Sequence, residues 1–228
     1  MGGPDIIEEL QAALRADGLS VRGVASFSED EGPPGSDGRP LASVVLIGNA
    51  GRAMWPEFSR WRDRQFDRGG ADPLDRWSKS LIDPLAERYG AVAFYPSDRP
   101  YQPFQQWAKR AEGLTASPLG MLIHPVFGLW HGYRGALGFA EPLPGHLADA
   151  ATSPCAACVK KPCLTTCPVG AIDAKVFDVA ACRAHLVTPA GQAGCMVQGC
   201  VARNACPVGA GHRYPQEQLR FHMAALFS

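Results

Sequence analysis

The position of the cysteines is the feature that most constrains this chain. All eight lie between Cys155 and Cys206, and none precedes Cys155 in the sequence of 228 residues. A small secreted domain distributes its cysteines over the core that its disulfides brace, whereas cysteines crowded into one segment indicate metal binding. The segment also has few large apolar side chains. Apolar burial alone therefore does not hold it folded, and metal coordination can supply the missing stability.

The spacing of the cysteines indicates which kind of metal site to expect. The first group is Cys155-x-x-Cys158, then Cys163 and Cys167-Pro168; the second is Cys195, Cys200 and Cys206-Pro207, and Cys182 lies between the groups. Bacterial two-cluster ferredoxins use C-x-x-C-x-x-C-x-x-x-C-P, and the last cysteine of each group ligates the other cluster. This chain departs from that pattern by two extra residues before Cys163 and by longer gaps in the second group.

The crossing rule divides the eight cysteines without remainder. One predicted [4Fe–4S] cluster is held by Cys155, Cys158, Cys163 and Cys206. The other is held by Cys167, Cys195, Cys200 and Cys182, which is the only cysteine left for it. Two structural zinc sites are an alternative, because four-cysteine zinc sites use similar spacing, and disulfides are another. The Cys-Pro end of both groups favours iron–sulfur clusters.

The cysteine segment resembles the C-terminal ferredoxin domain of epoxyqueuosine reductase and related cobalamin- and iron–sulfur-dependent reductases. The resemblance covers Cys155 to Pro207 and includes CPVGAIDAKVFDVAACRAHL at 167–186, in which Cys182 matches the isolated ligand of that family. It implies a small domain that binds two [4Fe–4S] clusters. The amphipathic stretch 215–227 predicts a closing helix that packs against the first domain.

Strands and helices alternate in the first part of the chain. The apolar run 41–49 predicts a buried central strand, Asp5 predicts the start of a helix, and helical stretches follow at 54–68 and 73–89. This alternation predicts one α/β layer structure. The Pro- and Ala-rich stretch 141–154 predicts a linker.

We therefore expect two domains in an overall α+β chain. Residues 1–145 form the α/β domain, and residues 146–228 form the two-cluster ferredoxin-like domain with its C-terminal helix.

The segment IHPVFGLWHGYRG at 123–135 resembles the H-P-x-F-G-x-W-x-x-x-R-G motif of the CblC cobalamin-processing family. The resemblance implies a nitroreductase-like α/β fold that binds cobalamin and removes its upper axial ligand. The residues that would bind the corrinoid are His124, Phe127, Gly128, Trp130, Tyr133, Arg134 and Gly135. Aromatic rings offer flat apolar area, glycines admit close approach, and Arg134 is a fixed cation. Ordinary core packing of the aromatic side chains and of His124 is the alternative.

Charge and hydropathy exclude several classes of partner. Lysine plus arginine equals aspartate plus glutamate, 22 each, whereas proteins that neutralise nucleic-acid phosphates carry a basic excess. No stretch approaches the roughly 18 uncharged apolar residues of a membrane span. The first residues are acidic where a signal peptide is basic, so we expect a cytoplasmic protein that binds neither membrane nor nucleic acid.

The cysteine spacing and the two family resemblances together predict an iron–sulfur corrinoid reductase. Electrons would enter through the two clusters from an external one-electron donor of the ferredoxin or flavodoxin type, and cobalamin would lose its upper ligand by reduction. Two alternatives remain open at this point: a cobalamin-dependent reductase of another substrate, as in epoxyqueuosine reductase, and a ferredoxin-type electron carrier without catalysis.

Overall fold

A computed structural model describes residues 5–144 and 152–226. Within these ranges the chain divides into two compact units, one of residues 5–113 and 132–144 and the other of residues 114–131 and 152–226. Residues 114–131, which the sequence analysis assigned to the first domain, thus belong to the second unit. Half of the predicted linker 141–154 and the predicted boundary at residue 145 lie outside the described residues.

The regular elements alternate as the sequence predicts for a mixed α/β chain. The strands are β1 (Ser20–Ser26), β2 (Ser43–Ala50), β3 (Val92–Phe94), β4 (Thr115–Ala116), β5 (Leu122–Ile123) and β6 (His131–Phe139). The helices are α1 (Ile6–Arg15), α2 (Trp55–Arg64), α3 (Pro73–Tyr89), α4 (Phe104–Glu112), α5 (Pro154–Ala157), α6 (Val179–Leu186), α7 (Pro189–Ala193), α8 (Cys195–Gln198), α9 (Val201–Asn204) and α10 (Gln216–Ala224). Within the described ranges, no helix has the length and apolar character that a membrane span needs.

The first unit contains a four-stranded sheet in the order β1-β2-β6-β3. β1 is antiparallel to β2, and β3 is antiparallel to β6. Residues 43–49 of β2 are all buried, as the apolar run 41–49 predicts for a strand with neighbours on both edges. α1 begins where expected, because the Asp5 carboxylate accepts the Ile7 N–H at 3.2 Å.

A buried ionic network joins β1, α4 and β6 in this unit. Arg22 Nη2 lies 2.7 Å from Glu112 Oε2, with side-chain exposures of 4% and 8%. The Tyr133 hydroxyl donates to Glu112 Oε1 at 2.5 Å, and Arg22 Nη1 donates to the Asn49 carbonyl. Burial, followed by the Glu112 charge, raises the pKa of Tyr133 above its usual range, so this phenol stays protonated as a donor.

The second unit is built from short helices around a small mixed core. Its buried residues Leu119, Ile123 and Leu129 pack with Ile172 and Ala202 and with several cysteines. The first three come from residues 114–131, and the others come from the cysteine segment. Because the cysteine segment is poor in large apolar residues, the earlier stretch supplies the apolar side chains that it lacks.

The predicted C-terminal helix is present as α10, which is shorter than the predicted stretch 215–227. It packs on α8 of its own unit, and its Met223 joins Leu186 and Cys195 in a second small core. The helix therefore covers part of the cysteine segment.

The Arg22–Glu112–Tyr133 network gives a testable order of stabilities. Glu112→Gln leaves the buried Arg22 guanidinium without a carboxylate and is expected to lower the free energy of unfolding by about 3 kcal/mol. Tyr133→Phe removes one hydrogen bond from an ion pair that persists, at about 1 kcal/mol. Urea denaturation measures both values. Equal losses of unfolding free energy in the two variants would show that the Arg22–Glu112 ion pair is not the main contributor to the stability of this network.

Candidate functional site

Four cysteines that are distant in sequence surround one cavity in the second unit. Cys155, Cys158, Cys163 and Cys206 line a cavity of about 90 Å³. α5 carries Cys155, a 3₁₀ turn at Pro162–Leu164 carries Cys163, and Cys206 follows α9. The rest of the wall is mainly apolar and includes Ile123, Leu164 and Val208. These are the four cysteines of the first predicted quartet.

The other four cysteines surround a second, smaller cavity of about 20 Å³, lined by Cys167, Cys182, Cys195 and Cys200. Its wall also contains Leu186, from α6, and Met223, from α10. The Cys167 sulfur accepts the Ala171 N–H at 3.4 Å. Backbone hydrogen bonds to ligand sulfurs are one means by which proteins set cluster potentials.

The electrostatics of the thiols follow the same grouping. Burial is the largest cause that raises the pKa of Cys155, and Cys206, Cys163 and Cys158 raise it further. Burial likewise raises the pKa of Cys182, with Cys200, Cys167 and Cys195 adding to it. All eight cysteines are free thiols. Because a metal binds the thiolate, metal binding here must displace protons.

The described residues contain no assembled metal-binding group. Within residues 5–144 and 152–226, no group of three or more His, Cys, Asp or Glu side chains is arranged to hold a metal ion. The structure shows two cavities that are each lined by four thiols.

His124, predicted to approach a corrinoid, stabilises a tight turn. Its Nδ1 accepts the N–H groups of Val126 and Phe127 at 3.0 and 3.1 Å, and its backbone pairs with that of Gly128 in both directions at 2.8 Å. An accepting Nδ1 assigns the proton of the neutral ring to Nε2.

Gly128 and Trp130 serve the packing of the second unit. A Cβ on Gly128, whose φ is +58°, would lie 2.0 Å from the Val208 carbonyl oxygen, and one on Gly209 would lie 2.3 Å from the Phe127 backbone. Trp130 has no exposed surface, so it presents no ring face to a ligand in this conformation. The close approach that Gly128 permits is thus to the chain after Cys206.

The other predicted corrinoid residues differ in exposure. Phe127 is partly exposed and stacks on His124 with ring centroids 4.4 Å apart. In the first unit, Tyr133 hydrogen-bonds to Glu112, and a Cβ on Gly135 would lie 2.7 Å from Ile82. Arg134 is partly exposed. Phe127 in the second unit and Arg134 in the first unit are thus both partly exposed.

Sequence reasoning missed the partners of Trp130. The Arg203 guanidinium lies 4.3 Å from the Trp130 ring and 4.9 Å from the Tyr214 ring, and it donates to the Leu129 carbonyl at 2.6 Å. No local pattern signals a contact between residues so far apart in sequence. The position of Gly209 is easier to recognise from the sequence, because the pentapeptide CPVGA at 167–171 recurs at 206–210 and contains this glycine.

The geometry defines a mixed α/β chain with two four-cysteine cavities, and comparison with known proteins adds a likeness of fold. No family model matches the sequence. No curated protein matches it either. Among solved structures, the B12-trafficking protein CblC of C. elegans, a homologue of human MMACHC, matches with a TM-score of 0.54 and 13% identity. The match covers 96% of this chain and 91% of that chain, so it extends into the cysteine segment. At this identity the likeness concerns the fold.

The contact between Gly128 and Val208 can be tested with a matched glycine. Gly120 has a φ of +75° in the same unit, and nothing lies within 4 Å of its Cβ position. Gly120→Ala is expected to cost about 1 kcal/mol of backbone strain, whereas Gly128→Ala adds a backbone clash and is expected to cost more than about 3 kcal/mol. Thermal unfolding of the two variants measures the difference. Equal shifts in Tm would contradict the described packing.

Proposed function

We propose that this protein is an iron–sulfur corrinoid reductase. It would hold two [4Fe–4S] clusters, bind cobalamin and remove the upper axial ligand of cobalamin by reduction. The observation that carries the proposal is the sorting of eight cysteines into two cavities with four thiols each. The two sets are those that the crossing rule of two-cluster ferredoxins predicts.

We favour clusters over two zinc ions because both cysteine groups end in Cys-Pro, at Cys167-Pro168 and Cys206-Pro207, as the groups of two-cluster ferredoxins do. The first cavity has apolar neighbours such as Ile123 and Leu164, and the second has Leu186 and Met223. Such walls exclude water from a cluster, and burial is one of the factors that set its potential. When bound, the two clusters would supply single electrons.

The corrinoid part of the proposal is supported by the likeness of fold to a B12-trafficking CblC protein across nearly the whole chain. Arg134, which is partly exposed in the first unit, is our candidate for direct contact with the ligand, because it offers a cation for the amide oxygens of the corrin side chains. The other residues of the motif stay sequence-based predictions: His124, Phe127, Gly128, Trp130, Tyr133 and Gly135.

The proposed reaction is balanced by one electron for each ligand removed. Cyanocobalamin takes up one electron at cobalt(III) to give cobalt(II), and cyanide leaves as the anion with the bonding pair. The electron comes from an external one-electron donor protein. The chain's own part would be to surround the cysteines with apolar side chains, to donate the Ala171 N–H to Cys167, and to orient the corrinoid; the redox chemistry belongs to the cofactors.

Iron content in paired cysteine variants tests the partition. Cys155→Ser and Cys206→Ser should each remove about half of the iron, and the double variant should also keep about half, because both residues belong to one predicted quartet. Cys206→Ser combined with Cys195→Ser should remove nearly all of it. Anaerobic iron and sulfide analysis after reconstitution measures each value. A Cys155/Cys206 double variant without iron would show that the groups do not cross.

A cobalamin titration tests the corrinoid function. The reconstituted, dithionite-reduced protein is expected to shift the visible spectrum of added cyanocobalamin and to convert it to the cobalt(II) form.

Arg134→Ala should weaken cobalamin binding about tenfold or more, because it removes the cation that we propose contacts the ligand. The control is Arg64→Ala, since Arg64 is an exposed arginine of α2. An unchanged cobalamin spectrum would favour the electron carrier. Binding with turnover of an epoxyqueuosine tRNA would favour the other reductase.

A further inference from the structure

An open groove adjoins the first cysteine cavity in the second unit. The groove has a volume of about 460 Å³. It shares four wall residues with the cavity: Pro118, Cys155, Lys161 and Ala174. Cys155, a ligand of the proposed first cluster, therefore also lines an open surface groove.

The groove is basic. Among the described residues that line it, Lys161 and Lys175 are the charged ones, and both are exposed. Lys161 lies in a left-handed turn with φ +40° between Cys158 and Cys163, so the fold fixes its backbone beside the thiols.

Asp173 and Asp178, which lie close in sequence to Lys175, are carboxylates that accept local backbone hydrogen bonds. The Asp173 carboxylate accepts the N–H groups of Lys175 and Val176 at 2.6 and 2.7 Å, and Asp178 accepts the Ala181 N–H at the start of α6. Apolar side chains are exposed beside the lysines: Val159 is 95% exposed and Val176 is 60% exposed. Lysines around a few exposed apolar side chains form a surface that suits a negatively charged protein partner.

We propose that this groove, lined by Lys161 and Lys175, is the docking surface for a small acidic one-electron carrier protein. The inference rests on the proposed function and adds the place where electrons enter, which is the quartet of Cys155, Cys158, Cys163 and Cys206. Among the described residues, the wall of the second cavity contains no lysine or arginine.

The physical chemistry of electron transfer supports this choice. Transfer slows steeply with distance, so a donor must dock where a cluster ligand is close to the surface. Electron-transfer complexes bury small interfaces and form transiently. Charge complementarity then raises the association rate, and salt weakens the complex by screening.

The test uses the full-length reconstituted chain and a purified flavodoxin, an acidic one-electron carrier, as the probe. Calorimetry measures binding at low and at high salt, and stopped-flow absorbance measures the reduction of the clusters by the reduced flavodoxin. Lys161→Glu/Lys175→Glu should weaken binding at low salt by about tenfold or more and slow cluster reduction to match. The matched control, Arg213→Glu/Arg220→Glu, reverses two exposed cations elsewhere in the unit and should change binding less than about twofold.

Iron and sulfide content is measured for each variant. If Lys161→Glu/Lys175→Glu loses iron, Lys175→Glu alone replaces it, because Lys175 lines the groove and lies outside the cavity wall. Unchanged flavodoxin binding in the lysine variant, or a larger loss in the arginine variant, would overturn the proposal, as would no binding by the unmodified chain at low salt. Failure of the proposed function would be visible separately, since dithionite replaces the donor in the cobalamin assay.

Discussion

The small number of apolar side chains in the cysteine segment is the main constraint on the fold of the second unit. Its cysteine segment supplies only four buried apolar residues besides cysteine, Ala171, Ile172, Leu186 and Ala202, with Leu164, Phe177 and Met196 partly buried against them. Conformational entropy costs on the order of 1–2 kcal/mol per residue, so short helices with so small a core need further cross-linking. Metal bound in the two four-thiol cavities would cross-link the segment. Residues 114–131 contribute further buried apolar side chains to the core.

This shortage explains why the segment from His124 to Trp130 belongs to the cysteine unit. Gly128 and Gly209 let two backbone turns come into contact, and Arg203 stacks on Trp130 while it binds the Leu129 carbonyl. These contacts hold the chain that follows Cys206. A motif that resembles a cobalamin-processing family thus also stabilises the surroundings of a cysteine quartet in this chain, and its glycine and tryptophan are needed for that packing.

Local patterns predicted the parts of the structure that depend on local physics. The apolar run of β2, the Asp5 cap of α1 and the helix at Pro73–Tyr89 follow from periodicity and capping. The cysteine spacing predicts the same two groups of four that line the two cavities, and their role as cluster ligands stays a prediction. Sequence patterns did not show that residues 114–131 join the second unit, nor that Tyr133 binds Glu112 and Trp130 binds Arg203. These contacts join residues that are distant in sequence, and the sequence around each residue contains no pattern that indicates its partner.

The central claim is that the cysteine quartets hold iron–sulfur clusters, and the direct measurement is acid-labile sulfide together with iron in anaerobically purified protein. Two [4Fe–4S] clusters predict about eight iron and about eight sulfide per chain. Sulfide is decisive, because zinc sites and disulfides contain none. Stoichiometric zinc without sulfide, or thiols paired with one another, would contradict the account.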